Sequence, residues 1–259
     1  MNKLFSLSGM NALITGSYGY LGEIFVYSLA SAGATVYANG RNQEKINNLV
    51  SKYPDLDIRG AKFDVNNSEE ISQFIKSSSI KSLDILINNA YSGKGGTISS
   101  AIEEDYFNSC QITIAATQNL TKICMPFLKE AYKCNGDASV INVASMYGIT
   151  IPDLSIYESA EETNPPFYGV FKAAMIHWTK YAAVEFGPHG IRFNSLSPGA
   201  FPNLEVQKNN KFITKLQKKV PLDRVGQLDD LIGPILFLSS KASNYITGEN
   251  IVIDGGWTV

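Results

Sequence analysis

Charge is scarce in this chain: only 18% of its 259 residues are Asp, Glu, Lys or Arg, against roughly 25% in an average soluble domain. The 22 basic and 24 acidic side chains nearly cancel, leaving a net charge of −2. A nucleic-acid-binding surface is thereby excluded as the default, because such domains carry a marked basic excess. With 44% hydrophobic residues, disorder is excluded as well, and the shortage of charge suggests that a partner subunit covers part of the surface. Cysteine is equally scarce. Cys110, Cys124 and Cys134 have no C-x-x-C spacing and cannot all pair with one another, which argues against a disulfide scaffold and for a reducing compartment. The two histidines, His177 and His189, have no acidic or cysteine partners at ligand spacing, so no metal site is expected. No run of about 18 apolar residues occurs, and no apolar leader with a cleavage site precedes the first strand-like segment. The expectation is a cytoplasmic protein with no membrane segment.

What is present is a regular alternation. Short runs rich in Val, Ile and Leu fall at 11–15, 34–38, 84–88, 139–144, 191–196 and 250–254, with a weaker one at 58–63. Between them lie segments with helical apolar spacing, such as Leu21, Ile24, Phe25 and Leu29, or Ile71, Phe74 and Ile75. Strands alternating with helices predict parallel βαβ units: one doubly wound α/β sheet of about seven strands, helices on both faces, forming a single domain over 1–259. The longest irregular stretch, about 149–166, carries Asp153, Glu158, Glu161 and Glu162. Loops of this length inside a compact domain are usually functional. Asn164 and Pro165 read as the N-cap and first position of the helix that follows.

Directly after the first strand stands Thr15-Gly16-Ser17-Tyr18-Gly19-Tyr20-Leu21-Gly22. Glycines at a strand-to-helix turn let the backbone approach a pyrophosphate, whose charge the free N–H groups of the helix start attract. A tight turn would need glycine in any case, but the position after the first strand of a βαβ unit favours a dinucleotide. The second strand ends in Asn39-Gly40-Arg41. With no carboxylate for the adenosine ribose and a guanidinium instead, the site suits a 2′-phosphate, hence NADP, with NAD as the alternative. An exposed turn arginine without a ligand is the plainer explanation of Arg41.

Tyr168 and Lys172 form a Tyr-x-x-x-Lys pair, which 13 tyrosines and 18 lysines in 259 residues would give about 0.9 times by chance. Context distinguishes it. The glycine turn, Asp64, Asn88-Asn89-Ala90, Ser145 with Gly148, Tyr168 with Lys172, and Asn194 with Ser197-Pro198-Gly199 follow one another at strand ends or helix starts. This series resembles the short-chain dehydrogenase/reductase family from about Leu4 to Trp257. The resemblance implies a Rossmann-type sheet, an NAD(P) cofactor and a homodimer or homotetramer, with Trp257 at the subunit interface. It places the cofactor against Gly16 to Gly22, Arg41, Asp64, Val65, Asn89, Ala90, Tyr168, Lys172, Pro198, Gly199 and Phe201, with Asn88 beside its path. It makes Ser145, Tyr168 and Lys172 catalytic.

In that reading Tyr168 exchanges the proton on a substrate oxygen, Ser145 hydrogen-bonds that oxygen, and hydride moves between cofactor and carbonyl carbon. Lys172 shares a helix face with Tyr168. Its charge, about 4 Å away at an effective dielectric of about 20, would supply on the order of 4 kcal/mol, enough to bring a phenol from about 10 toward 7. Three departures stand out. Tyr20 occupies a usual glycine position and gives the spacing of sugar-nucleotide epimerases and dehydratases, though the chain is short for those. The family's NNAG reads NNAY, placing Tyr91 at the site's mouth. Thr113 stands where a relay asparagine is usual, and its own role is therefore open.

Ser145 and Tyr168 are about ten residues further apart than is common in the family. The acidic loop is therefore expected to close over the substrate, with Tyr91, Tyr147 and Tyr157 as substrate residues, unless it is a solvated decoration. A lid is expected at about 200–220, where Lys211, Lys215 and Lys218 would attract a phosphate or carboxylate, or simply form a solvated face. The segments around Ser145 and Tyr168 look like those of reductases of bacterial surface-sugar pathways, which points to a carbonyl or alcohol of a sugar derivative. The alternatives are a 3-oxoacyl reductase-like enzyme and a degenerate member that binds NADP(H) as a sensor or partner.

Overall fold

Alternate residues of the first strand belong to different cores. Leu13 joins the buried cluster of Phe63, Leu86, Leu120 and Phe193, whereas Ala12 and Ile14 join Phe25, Leu29, Ile87 and Ile235 on the opposite face. A period of two with apolar residues on both sides requires a sheet covered twice. The computed structural model, which describes residues 3–159 and 161–259, has that architecture. In chain order the elements are β1 (Asn11–Ile14), α1 (Tyr20–Ser31), β2 (Thr35–Gly40), α2 (Gln43–Lys52), β3 (Ile58–Lys62), α3 (Ser68–Ser77), β4 (Ile85–Asn88) and α4 (Glu103–Cys110). There follow a π-helical turn (Gln111–Ala115), α5 (Ala116–Asn135), β5 (Ala138–Val143), α6 (Pro166–Phe186), β6 (Ile191–Pro198), α7 (Leu204–Gln207), α8 (Asn210–Gln217), α9 (Ile232–Ser239) and β7 (Asn250–Ile253).

All seven strands pair in parallel, in the order β3-β2-β1-β4-β5-β6-β7. The chain winds outward from β1 in one direction and from β4 in the other. Between these two strands the helices switch faces, which opens a crevice beyond their C-terminal ends where ligands bind in folds of this kind. Every residue of β4, β5 and β6 is buried, polar ones included: Arg192 pairs with Asp137, and the Asn194 amide donates to the Ile246 carbonyl.

Each predicted strand is present with ends shifted by two residues at most. The start of α6 differs: its cap is Pro165 in extended conformation (ψ 152°) and its first residue is Pro166. The second proline forces this, because a residue before proline is driven out of the helical region.

Candidate active site

The loop from β1 to α1 crosses the crevice. Gly16 has φ +64°, and a Cβ on Gly22 would lie 2.1 Å from the Gly16 carbonyl oxygen, so no larger residue fits this cradle. The Thr15 hydroxyl accepts hydrogen bonds from the N–H groups of Asn89 and Ala90 at 2.9 and 3.0 Å. The Asn89 amide donates to the carbonyls of Thr15 and Gly16 and so braces the cradle. A cleft of about 430 Å³ runs from here across the strand ends. Gly16, Tyr18, Gly19, Tyr20, Leu21, Gly22, Arg41, Asp64, Val65, Asn89, Ala90, Tyr91, Ser145, Tyr168, Lys172, Pro198, Gly199 and Phe201 all line it. Of the expected cofactor residues, Ser17 lies outside the lining: its side chain is fully buried and its N–H donates to the Asn39 carbonyl. Asn88 is withdrawn too, with its amide donating to Asn142 inside the sheet.

At one end of the cleft the Arg41 guanidinium stands 3.8 Å from the Asp64 carboxylate. The Tyr18 hydroxyl accepts from the N–H groups of Arg41 and Asn42 and fixes the turn that presents Arg41. Asn39 is buried, its amide spanning to the carbonyls of Ala61 and Phe63, which leaves Arg41 as the polar group of that turn directed to the cleft. Tyr20, in the unusual position of the glycine motif, donates its hydroxyl to the Pro202 carbonyl and ties the cradle to the segment after β6.

At the other end Ser145, Tyr168 and Lys172 converge. Ser145 follows β5, and its hydroxyl accepts from the Tyr147 N–H at 3.1 Å. The short turn after it packs on α6, where a Cβ on Gly148 would meet the Lys172 backbone at 2.8 Å. Lys172 is buried, and its ammonium donates to the Val143 carbonyl at 2.6 Å.

The electrostatics differ from the sequence expectation. Burial lowers the Lys172 pKa from 10.5 to about 7. Burial also pushes Tyr168 above its ordinary value, opposed by the hydrogen bond of Ser145. The expected drop of Tyr168 toward 7 is therefore absent in the protein alone, because the fold desolvates the lysine as well as the phenol.

Thr113 sits in the π-helical turn between α4 and α5, 1% exposed, with a hydroxyl that has no hydrogen-bond partner among the described residues. It does not reach the cleft; its neighbour Ile112 does. Turns of this type recur at functional sites, and no local signal in the sequence marks this one. Ser92, Val143 and Ala144, which the sequence reading did not single out, also line the cleft; their position at strand ends was the available clue.

Tyr147 and Tyr157 lie outside the lining, with their hydroxyls 3.4 Å apart. Burial pushes the pKa of both upward. The acidic insert is fastened to the lid. Lys219 pairs with Asp153 and holds its carboxyl well below the usual range. Lys211 pairs with Glu158 at 3.1 Å, and Lys215 donates to the carbonyls of Ser155 and Ile156. Ile156 and Leu216 pack with Val225, Phe212 and Trp257 beneath these contacts. Two of the three lysines expected to attract a substrate anion, Lys211 and Lys215, are thus engaged by the insert, and Trp257 packs within its own chain. Asn203 caps α7 with its side-chain oxygen.

A family model described as enoyl-(acyl carrier protein) reductase matches residues 21–258. Gluconate 5-dehydrogenase of Gluconobacter oxydans is 28% identical over 99% of this chain and 97% of its own length. A tropinone reductase homologue of Arabidopsis thaliana is 29% identical over 100% of this chain and 82% of its own. Among solved structures, a short-chain dehydrogenase from Leptospira borgpetersenii with bound NAD+ superposes with a TM-score of 0.84 at 32% identity, covering 97% of this chain and 94% of that one. The chain belongs to the short-chain dehydrogenase/reductase family. A gluconate 5-dehydrogenase from Burkholderia cenocepacia, in complex with NADP and tartrate, gives 0.85 at 28% identity over 99% and 98% of the two chains. Membership makes this short-chain dehydrogenase/reductase an oxidoreductase acting between carbon–hydroxyl and carbonyl groups.

Proposed function

We propose that the protein is an NADP(H)-dependent enzyme that interconverts a ketone or aldehyde and the corresponding alcohol, with reduction favoured near neutral pH. One observation carries the reading: a single cleft joins the glycine cradle and Arg41 to Ser145, Tyr168 and Lys172. The cofactor fits the residues present. The cradle admits no Cβ at Gly22, the start of α1 offers free N–H groups to a pyrophosphate, and Arg41 suits the 2′-phosphate. When bound, NADPH supplies the hydride that the carbonyl carbon accepts.

The chain's own groups manage the oxygen. Ser145 donates a hydrogen bond to it, and Tyr168, held protonated by burial, gives it the proton as negative charge develops. Lys172 then favours the phenolate left behind and, with the cofactor bound, would help hold the nicotinamide ribose. For the substrate we favour a polyhydroxylated carbonyl compound. Of Tyr91, Tyr147 and Tyr157 only Tyr91 lines the cleft, while Lys211 and Lys215 are turned to the insert and away from an anionic substrate.

The insert at about 149–166 and the lid at about 200–220 act as one cover in this reading. A cytoplasmic setting is in keeping with three free cysteines, and no described helix is long and apolar enough to cross a membrane. A homodimer or homotetramer would cover the exposed side chains of Val170, Tyr181 and Val184, which share one face of α6, beside Phe107 of α4. Titration of NADPH fluorescence, followed by a screen of ketoses, keto acids and 3-oxoacyl thioesters, tests the proposal. Turnover of a ketose supports it; tight binding with no turnover across the screen would favour a non-catalytic partner protein.

A further inference from the structure

Lys172 presents an electrostatic problem that its immediate partners leave unsolved. The side chain is 3% exposed, and no carboxylate among the described residues pairs with it. Its polar contact is one neutral acceptor, the Val143 carbonyl at 2.6 Å. Two aromatic rings flank the ammonium instead: Tyr91 with its centroid 5.4 Å away and Tyr168 at 5.6 Å. The two rings also meet each other edge to face, 4.9 Å apart at 70°. A cation within about 6 Å of a ring face is stabilised by the ring's quadrupole, and more so where water is excluded.

We propose that Tyr91 is a positioning residue whose ring face stands in for a counter-ion and favours the charged form of Lys172 beside Tyr168. Where glycine follows the Asn-Asn-Ala of this loop, the ammonium would have the ring of Tyr168 alone. The groups that face Lys172 are Tyr91 after β4, the Val143 carbonyl at the end of β5 and Tyr168 on α6 itself, with Ser145 lining the same cleft and Tyr147 in the turn beyond it. Burial holds Tyr91, Tyr147 and Tyr168 protonated at neutral pH, so none supplies a negative charge in the resting protein. The ring rather than the hydroxyl of Tyr91 does this, since the ammonium stands over the ring face and its hydrogen bond goes to the Val143 carbonyl. The inference deepens the assignment of Tyr168 as the proton-exchanging group and rests on it.

The test is an NMR titration of full-length protein labelled at lysine Cε and tyrosine Cζ, alone and saturated with NADP+. Lys172→Met and Tyr168→Phe identify the two resonances. Tyr91→Phe keeps the ring and should leave the Lys172 midpoint within about 0.3 pH unit of wild type, whereas Tyr91→Leu and Tyr91→Met should lower it by about one unit and raise that of Tyr168. Met refills most of the volume without a ring face and guards against a packing defect in the Leu variant. Unchanged midpoints in both Leu and Met variants, or an equal shift in the Phe variant, would overturn the proposal. Full turnover by Tyr168→Phe would instead remove the underlying catalytic assignment and leave the lysine titration standing.

Discussion

Replacing Lys172 by Met should abolish turnover and yet stabilise the protein at neutral pH. Lys172 has a folded pKa of about 7 against an ordinary 10.5. For a base whose pKa falls on folding, the penalty is absent above the unfolded value, grows as pH drops, and is complete below the folded value. The full penalty is 3.5 units at 1.36 kcal/mol each, about 5 kcal/mol. Met removes it, but it also deprives the Val143 carbonyl of its 2.6 Å donor, which costs about 2 kcal/mol for a buried acceptor. At pH 7, the folded midpoint, the lysine is half protonated and the penalty is about 4 kcal/mol, so the balance is a gain of about 2 kcal/mol. At pH 10 only about 0.6 unit of penalty remains, about 0.8 kcal/mol, and the variant should be about 1 kcal/mol less stable than wild type. Urea denaturation of both proteins at the two pH values gives the difference directly, with contributions from other groups cancelling between them. A variant destabilised equally at pH 7 and pH 10 would refute the claim that burial strains this lysine.

Arg41→Ala should weaken NADPH binding about 30-fold, the loss of about 2 kcal/mol expected for a charge pair near 4 Å at an exposed site. NADH binding, measured by the same fluorescence titration, should change less than about twofold; equal loss for both would show that Arg41 does not read the 2′-phosphate. Lys211→Ala with Lys219→Ala removes the ion pairs to Glu158 and Asp153, so hydrogen exchange over residues 153–158 should quicken and KM should rise about threefold at nearly constant kcat. Added salt should move the wild type in the same direction, whereas acid should reach the Asp153 link last, since its lowered pKa preserves the charged form until well below the usual carboxylate range. Val184→Glu with Tyr181→Glu should lower the mass seen in light scattering to that of a smaller species, and an unchanged oligomer would place the contact elsewhere.

The strands were legible because most are short runs rich in Val, Ile and Leu that need cover on both faces, and parallel pairing follows from the helices between them. The cleft was legible for a related reason: in this fold strand ends meet at the switch between β1 and β4, so markers scattered from Gly16 to Phe201 become neighbours. Effects that depend on burial were not legible. Tyr168 and Lys172 are four residues apart in any helix, but only the fold shows that both are desolvated, which reverses the expected direction for the phenol. Pairing between distant segments was equally hidden. Lys215 and Ser155 lie 60 positions apart, and neither sequence says that one will hold the other. The π-helical turn at Thr113 has no local signature, and the α6 start is shifted by a second proline, Pro166, that keeps Pro165 out of the helical region.

Tyr168→Phe assayed beside wild type bears most directly on the proposed chemistry. Removing one hydroxyl deletes the proton donor and leaves the ring against Lys172 and Tyr91, so the fold and the cradle should be unaffected. Turnover of any substrate found in the carbonyl screen should fall by a factor on the order of 10³ or more, while the NADPH dissociation constant stays within about threefold. Retention of wild-type turnover by the Phe variant would contradict the account.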